Sequence, residues 1–348
     1  MKLSVCIITK NECEKLKKCL SCLALPEIEL IVVDTGSSDD SKLIAKEFTD
    51  NVYDFEWCND FSKARNFAVS KATNDFVMSV DTDEYADNLD IKSLLKTISE
   101  NPYSVGRVVI NNEYITDGEQ LGSRELVSRI FNKNLFRYEG KVHEQICSIS
   151  GKDFNTYETP IEFLHDGYFQ DEDGRIQKAK RNLELLFEEL SLNPKDTYIL
   201  YQIGKSYYYM NDYENAITYF EKTFEYDMNP KYEYVSSLIV TYGYSLLNLE
   251  QNEKALILES LFNDFETDPD FTFVLALTYM KNAMFDKAVT AFEYTTTLGK
   301  SVVAGVNSYL SWYNIGVIYE CLGRIDLAKE YYGRCGDYLK AKDRLKVL

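Results

Sequence analysis

Three carboxylates within four residues, Asp81, Asp83 and Glu84, close the stretch DFVMSVDTDEYAD at residues 75–87, and an apolar run from Phe76 to Val80 leads into them. Either a buried strand runs out into a solvated acidic turn, or a strand delivers two carboxylates to a divalent ion. On an extended strand end the side chains at i and i+2 face the same side, with Cα atoms about 6.5 Å apart, so Asp81 and Asp83 would hold one ion between them. Carboxylates without thiolate or imidazole neighbours suit a hard cation, Mg2+ or Mn2+, which completes its shell with phosphate oxygens and water. The chemistry expected is therefore that of a diphosphate substrate. The chain has two histidines, His143 in KVHEQ and His165 in LHDGY, each readable as a satisfied structural residue or as a working group. Cys19-x-x-Cys22 has no second pair at metal-ligand spacing, so the eight cysteines read as thiols of a reducing compartment.

Such groups need elements to aim them. LSVCIIT, IELIVVD, NVYDFEW and DFVMSV read as strands. CEKLKKCLSCL, DDSKLIAKEF and FSKARNFAVSKA read as helices between them, the second opened and capped by Ser38 and Asp39. That alternation predicts a parallel α/β sheet, whose ligands sit beyond the carboxyl ends of the strands. The polar clusters Thr9–Glu12, Asp34–Asp40 and Asp81–Glu84 all fall at such ends. Three independent strand ends aimed at one rim favour the metal reading over the solvated turn. SVGRVVINNEYI, RELVSRIFN, FRYEGKVHEQI and PIEFLHDGYF read as antiparallel additions to the sheet.

After residue 175 the pattern is all-helical and repeats. Gly204, Gly243, Ala276 and Gly316 recur, each followed twelve residues later by an alanine: Ala216, Ala255, Ala288 and Ala328. With Leu200, Ile203, Tyr207 and Phe220, and again Trp312, Ile315, Tyr319 and Tyr332, this is the tetratricopeptide pattern, small residues letting two helices close and large ones filling between them. The second copy is degenerate, with Glu259 where an aromatic is expected. The expected organisation is an α/β domain over 1–174, a linking helix over 175–194 and repeats over 195–348.

Composition narrows the partners. At 348 residues, 45% apolar and 14% aromatic, the chain has material for two packed domains. A net charge of −18 argues against nucleic acid and anionic lipid. The apolar stretch in MKLSVCIITKNE is too short for a secretory signal, and no run reaches membrane-spanning length, which predicts a cytoplasmic protein without a membrane span.

The stretches SVCIITKNE, LIVVDTGSSDDS, NDFSKARNFAVSKATNDFVMSVDTDE and GKVHEQI, in this order, resemble the family-2 glycosyltransferases of GT-A fold. With repeats following, and with NDFSKARN, GKVHE and HDGY, the chain most resembles the sublancin-type peptide S-glycosyltransferases. The resemblance implies that Thr9, Asn11, Glu12, Asp34, Ser37, Asp39, Asp60, Arg65, Asn66 and Thr82 line the nucleotide pocket, with Asp34 accepting from the uracil. It implies that Asp81 and Asp83 hold Mn2+ or Mg2+ against the donor diphosphate, with His165 as a third ligand or a phosphate contact. Glu144 would be the general base of an inverting transfer, with His143 or Asp166 as runner-up. Arg124, Arg129, Lys178 and Arg181 would close over the diphosphate. The reaction implied is transfer from UDP-glucose or UDP-N-acetylglucosamine to a Ser or Cys of a peptide, the repeats holding the acceptor or forming a homodimer. A sugar transferase of cell-surface glycan or lipopolysaccharide synthesis, or a non-catalytic repeat adaptor, are the alternatives.

Overall fold

The computed structural model describes residues 2–86, 89–116, 119–165 and 172–348. The chain divides into two compact units, residues 1–170 and 171–348.

The first unit is built on β1 (Leu3–Thr9), α1 (Cys13–Leu23), β2 (Ile28–Asp34), α2 (Ser41–Phe48), β3 (Val52–Asp54), α3 (Phe61–Lys71) and β4 (Phe76–Ser79). It continues with β5 (Glu84–Ala86), α4 (Ile91–Glu100), β6 (Val105–Thr116), β7 (Glu119–Asn132), β8 (Phe136–Glu139), β9 (Gln145–Ser148) and β10 (Thr156–His165). One eight-stranded sheet runs in the order β3-β2-β1-β4-β7-β6-β10-β5. Its first four strands are parallel, and β7 then joins antiparallel to both β4 and β6. The sheet is buried on both faces around β1, whereas β10 alternates buried and exposed residues. Val5 and Ile7 of β1 pack with Leu16, Leu20 and Leu23 of α1, whereas the intervening Cys6 packs with Ala68 and Val69 of α3. That alternation is why β1 reads as a continuous apolar run.

Three local expectations are corrected. Asp81 and Asp83 do not lie on an extended strand end. The chain turns there, Glu84 N donating to the Asp81 carbonyl at 3.1 Å while Asp81 N donates to Glu84 Oε2 at 3.0 Å. The buried Glu84 side chain folds back on the Asp81 amide, ends the strand and starts β5. Ser38 does not cap α2, whose N-cap residue is Asp40 without a side-chain bond; Asp39 does serve the helix start, its Oδ1 accepting from Ser41 N at 3.0 Å. FRYEGKVHEQI is two strands, β8 and β9, paired antiparallel across a loop in which Gly140 has φ 98°.

The second unit is helical throughout. It comprises α5 (Glu172–Leu192), α6 (Thr197–Tyr209), α7 (Tyr213–Thr223), α8 (Glu233–Asn248), α9 (Asn252–Ala255), α10 (Phe262–Phe265), α11 (Pro269–Lys281), α12 (Phe285–Thr295), α13 (Tyr309–Cys321), α14 (Ile325–Arg334) and α15 (Leu339–Val347). The pairs α6/α7 and α13/α14 close on their glycines. A Cβ added at Gly204 would lie 2.5 Å from Phe220 Cε1, and one at Gly316 would lie 2.6 Å from Tyr332 Cε1. The degenerate copy is degenerate in structure too. The partner of α8 is broken into α9, a 3-10 stretch Leu256–Leu261, and α10. Leu258, one residue early, packs under Gly243 in place of an aromatic, and the exposed Glu259 pairs with Lys287 instead. Among the described residues no helix is long and apolar enough to cross a membrane.

Candidate active site

The site gathers at the carboxyl ends of β1, β2 and β4, and local sequence explains how each side reaches it. At the end of β1, Asn11 takes φ 56°, a left-handed conformation that Asn tolerates better than most residues. From there its amide N donates to Ser37 Oγ at 2.9 Å, while its Oδ1 accepts from Ser38 N at 2.7 Å and from Ser38 Oγ at 3.3 Å. Glu12 N donates to Ser41 Oγ at 3.0 Å, and Cys13 N to Asp39 Oδ2 at 3.2 Å. The loops after β1 and β2 are thus stitched to one another. Hydrogen bonds from Ser41 and Cys13 hold the Asp39 carboxyl below its ordinary range. Asp34, buried at the end of β2, accepts from Gly36 N at 3.3 Å and from Ser37 N at 3.1 Å, which shapes the turn. Thr9 is buried beside it, and its Oγ1 has no hydrogen-bond partner. Thr82 Oγ1 donates to Glu12 Oε2, joining these loops to the turn after β4.

α3 carries the opposite wall. Asp60 is its N-cap, accepting from Lys63 N at 2.9 Å and Ser62 Oγ at 2.8 Å. Burial pushes its carboxyl up, but these bonds and the Lys63 ammonium hold it below the usual range. Asn66 clamps β8 from both sides, donating to the Tyr138 carbonyl at 2.8 Å and accepting from Tyr138 N at 2.9 Å. Phe61 N donates to the Lys141 carbonyl at 2.8 Å. These contacts bring the loop between β8 and β9 over α3, where Glu144 accepts from Arg65 Nε. The Glu144 side chain is only 11% exposed. His143 is exposed, with φ 52°.

Arg65 and Arg129 clamp Asp81 between them. Arg65 Nη2 donates to Asp81 Oδ1 at 2.7 Å, and Arg129 Nη2 donates to Asp81 Oδ2 at 2.8 Å and also to Glu84 Oε1. Burial alone would favour neutral arginines, but Asp81 and Glu144 hold the Arg65 proton, and Glu84 and Asp81 that of Arg129. Burial likewise pushes the Asp81 carboxyl up, and the two guanidiniums overrule it and drive it far below the carboxylate range. Glu84 is raised, chiefly by burial.

Asp83 faces elsewhere. Its Oδ2 lies 3.4 Å from His165 Nε2 and 4.0 Å from Lys15 Nζ. Asn112 Nδ2 donates to Ser123 Oγ at 3.0 Å, so its Oδ1, 2.7 Å from His165 Nδ1, is an acceptor and fixes the histidine proton on Nδ1. The Nε2 lone pair is then directed at a carboxylate oxygen. Two acceptors so placed attract a cation between them. Among the described residues no group of three or more His, Cys, Asp or Glu is placed to hold a metal ion. A carboxylate–imidazole pair is not the all-oxygen set expected for a hard ion and suits Mn2+ better than Mg2+, the rest of the shell coming from phosphate and water.

The structure therefore brings Thr9, Asn11, Glu12, Asp34, Ser37, Asp39 and Thr82 into one stitched wall, and Asp81, Arg65 and Glu144 into one ion network. It pairs Asp81 with Arg65 and Arg129, and Asp83 with His165 and Lys15. Asp166 lies outside the described residues. Arg129 does not point at the rim as a diphosphate clamp, because both its contacts are internal carboxylates. Arg124 pairs with Glu162 at 3.3 Å on the surface. Lys178 and Arg181 sit on α5 of the second unit. Sequence reasoning missed Asn112, the fold-back of Glu84 onto the Asp81 amide and the pairing of Arg129. A signal for the last was present: an arginine between Val127 and the apolar pair Ile130–Phe131 implies a buried counter-charge.

Parts of the chain are similar to known proteins. Residues 4–152 match the family model Glycosyl transferase family 2, and residues 197–228 and 309–335 match Tetratricopeptide repeat. The chain is 28% identical over 309 residues to the SPbeta prophage-derived glycosyltransferase SunS of Bacillus subtilis (strain 168), covering 83% of this chain and 71% of that protein. It is 30% identical over 210 residues to a TPR repeat-containing protein of Synechococcus elongatus, covering 58% of this chain and 51% of that one. The crystal structure of YrrB, a TPR protein with an unusual peptide-binding site, aligns with a TM-score of 0.41 at 22% identity, covering 50% of this chain and 86% of YrrB.

Proposed function

We propose that this glycosyltransferase, a family 2 domain followed by tetratricopeptide repeats, is a metal-dependent inverting enzyme that moves glucose or N-acetylglucosamine from a UDP donor to a Ser or Cys of a peptide or protein. One observation carries the reading: a cation-attracting pair, Asp83 and His165, shares a strand-end rim with a buried carboxylate, Glu144, held by an arginine. The stitched loops after β1 and β2 take the nucleoside, with Asp34, Asn11, Glu12 and Asp39 as its polar wall. When bound, Mn2+ or Mg2+ on Asp83 and His165 supplies the positive charge that offsets the donor diphosphate. Glu144 accepts the acceptor's proton, and Arg65 keeps its carboxylate oriented. His143, exposed beside Glu144, is the alternative base. The acceptor peptide engages the repeats, which also suit a homodimer, and the protein works in the cytoplasm.

The test is nucleotide release from a panel of sugar nucleotides with Mn2+ or Mg2+, repeated with EDTA. Release from one UDP-sugar, abolished by EDTA, is expected. If calorimetry detects no binding of UDP with either ion, the reading fails.

A further inference from the structure

Five charged side chains form one continuous chain of contacts, Glu84–Arg129–Asp81–Arg65–Glu144, that runs from the turn after β4 to the loop between β8 and β9. Two of its links are made by a single nitrogen. Arg129 Nη2 touches both Asp81 Oδ2 and Glu84 Oε1, the side chains at the two ends of the four-residue turn. The same turn is closed by Asp81 N to Glu84 Oε2 and by Glu84 N to the Asp81 carbonyl. Arg129 comes from β7, which pairs with β4 just before the turn, Met78 opposite Ile130. Its position is therefore set by the sheet, independently of the turn it holds. Its side chain is 11% exposed, and its Nε has no hydrogen-bond partner among the described residues.

We propose that Arg129 is a positioning residue for the transfer. It fixes the turn that carries Asp83 and, through Asp81 and Arg65, the direction of the Glu144 carboxylate. Two arguments favour this over a role in binding the donor. Both of its hydrogen-bond contacts are carboxylates of the protein. Without it, Glu84 would lose the guanidinium it pairs with and Asp81 would keep Arg65 alone, so the repulsion between the two carboxylates would be less screened and would open the turn. The inference rests on the transfer reading, because it concerns the alignment of that reaction's base and metal-side carboxylate.

The experiment compares wild type, Arg129→Met, Arg129→Lys and the charge-balanced double variant Glu84→Gln/Arg129→Met, measuring kcat and KM for UDP-sugar turnover across pH. The double variant removes the carboxylate that Arg129→Met would strand, so it keeps the comparison usable if the single variant fails to fold. Misplacement of reacting groups by about 1 Å lowers rates by roughly 100-fold, so Arg129→Met and the double variant should lose about that factor in kcat. KM for the donor should rise by a smaller factor than kcat falls, because Arg129 itself makes no contact with the donor in this reading. Arg129→Lys should recover most of the rate, and Arg129→Met combined with Glu144→Gln should be no slower than Glu144→Gln alone. A double variant with full kcat, or a loss confined to KM, overturns the proposal while leaving the transfer reading intact. A wild-type protein that releases no nucleotide from any donor overturns both.

Discussion

The two units of this molecule are organised on different principles. In the repeats, the residues that define each helix pair sit within about one repeat of each other: Gly204 against Phe220, Gly316 against Tyr332. In the first unit, the contacts that define the site join Arg65 to Glu144 and Arg129 to Asp81, 79 and 48 residues apart. The repeat pairs are closed by packing between near neighbours, and the site by charge between distant residues. The difference teaches where information is readable. Periodic small and large residues announce their own partners, whereas a lone arginine in a strand announces only that it has one.

Three substitutions sharpen or break that contrast. Glu144→Gln should show the largest effect, a loss of about 10²–10⁴ in turnover, as expected for a general base. Its melting temperature should stay near that of wild type, because the amide still accepts from Arg65. A variant that turns over normally would leave His143 as the group to test.

Asp270 is the exception inside the repeats, a buried carboxylate accepting from Val302 N at 2.7 Å and Val303 N at 3.0 Å. Burial outweighs those two bonds and pushes it up to about 6 from 3.8. The folded state then holds the proton more tightly than the unfolded chain. Its stabilising contribution is complete below about pH 3.8 and is lost as pH rises through about 6, roughly 3 kcal/mol over the window as an upper bound. Asp270→Asn should flatten the dependence of thermal stability on pH between 4 and 6. An unchanged slope would assign that dependence to other groups.

Gly316→Ala should be the smallest and the most local. Overpacking against Tyr332 costs about 1–3 kcal/mol, and the better helix propensity of alanine returns about 0.5–1 kcal/mol, leaving a net loss of up to about 2.5 kcal/mol. Denaturant melts should show this, with turnover of the donor unchanged. Loss of turnover would mean that the two units are less independent than their construction suggests.

The same contrast explains what was legible beforehand. The alternation of strands and helices, the rim at the carboxyl ends and the repeat pattern all follow from periodicity and turn chemistry, and so were readable. The degenerate second repeat was visible at Glu259, although only the structure shows Leu258 taking the vacant packing position. The carboxylates of the site were readable as types but not as partners. Asp81 looked equivalent to Asp83 because extended geometry places both on one side. The fold-back of Glu84 removes that equivalence, giving Asp81 to two arginines and Asp83 to His165. Asn112, which fixes the tautomer of His165, carries no local mark at all, since its role comes from β6 lying beside β10.

The five hydrogen bonds between the loop after β1 and the loop after β2 have a thermodynamic consequence. Loops of this kind ordinarily surrender conformational freedom when a ligand arrives, at about 1–2 kcal/mol for each residue immobilised. Here that entropy is given up during folding, when Asn11 is drawn into its left-handed conformation against Ser37 and Ser38. Whatever settles over these loops meets a surface that is already ordered, so its affinity is set by contacts and desolvation rather than by the work of arranging its own receptor.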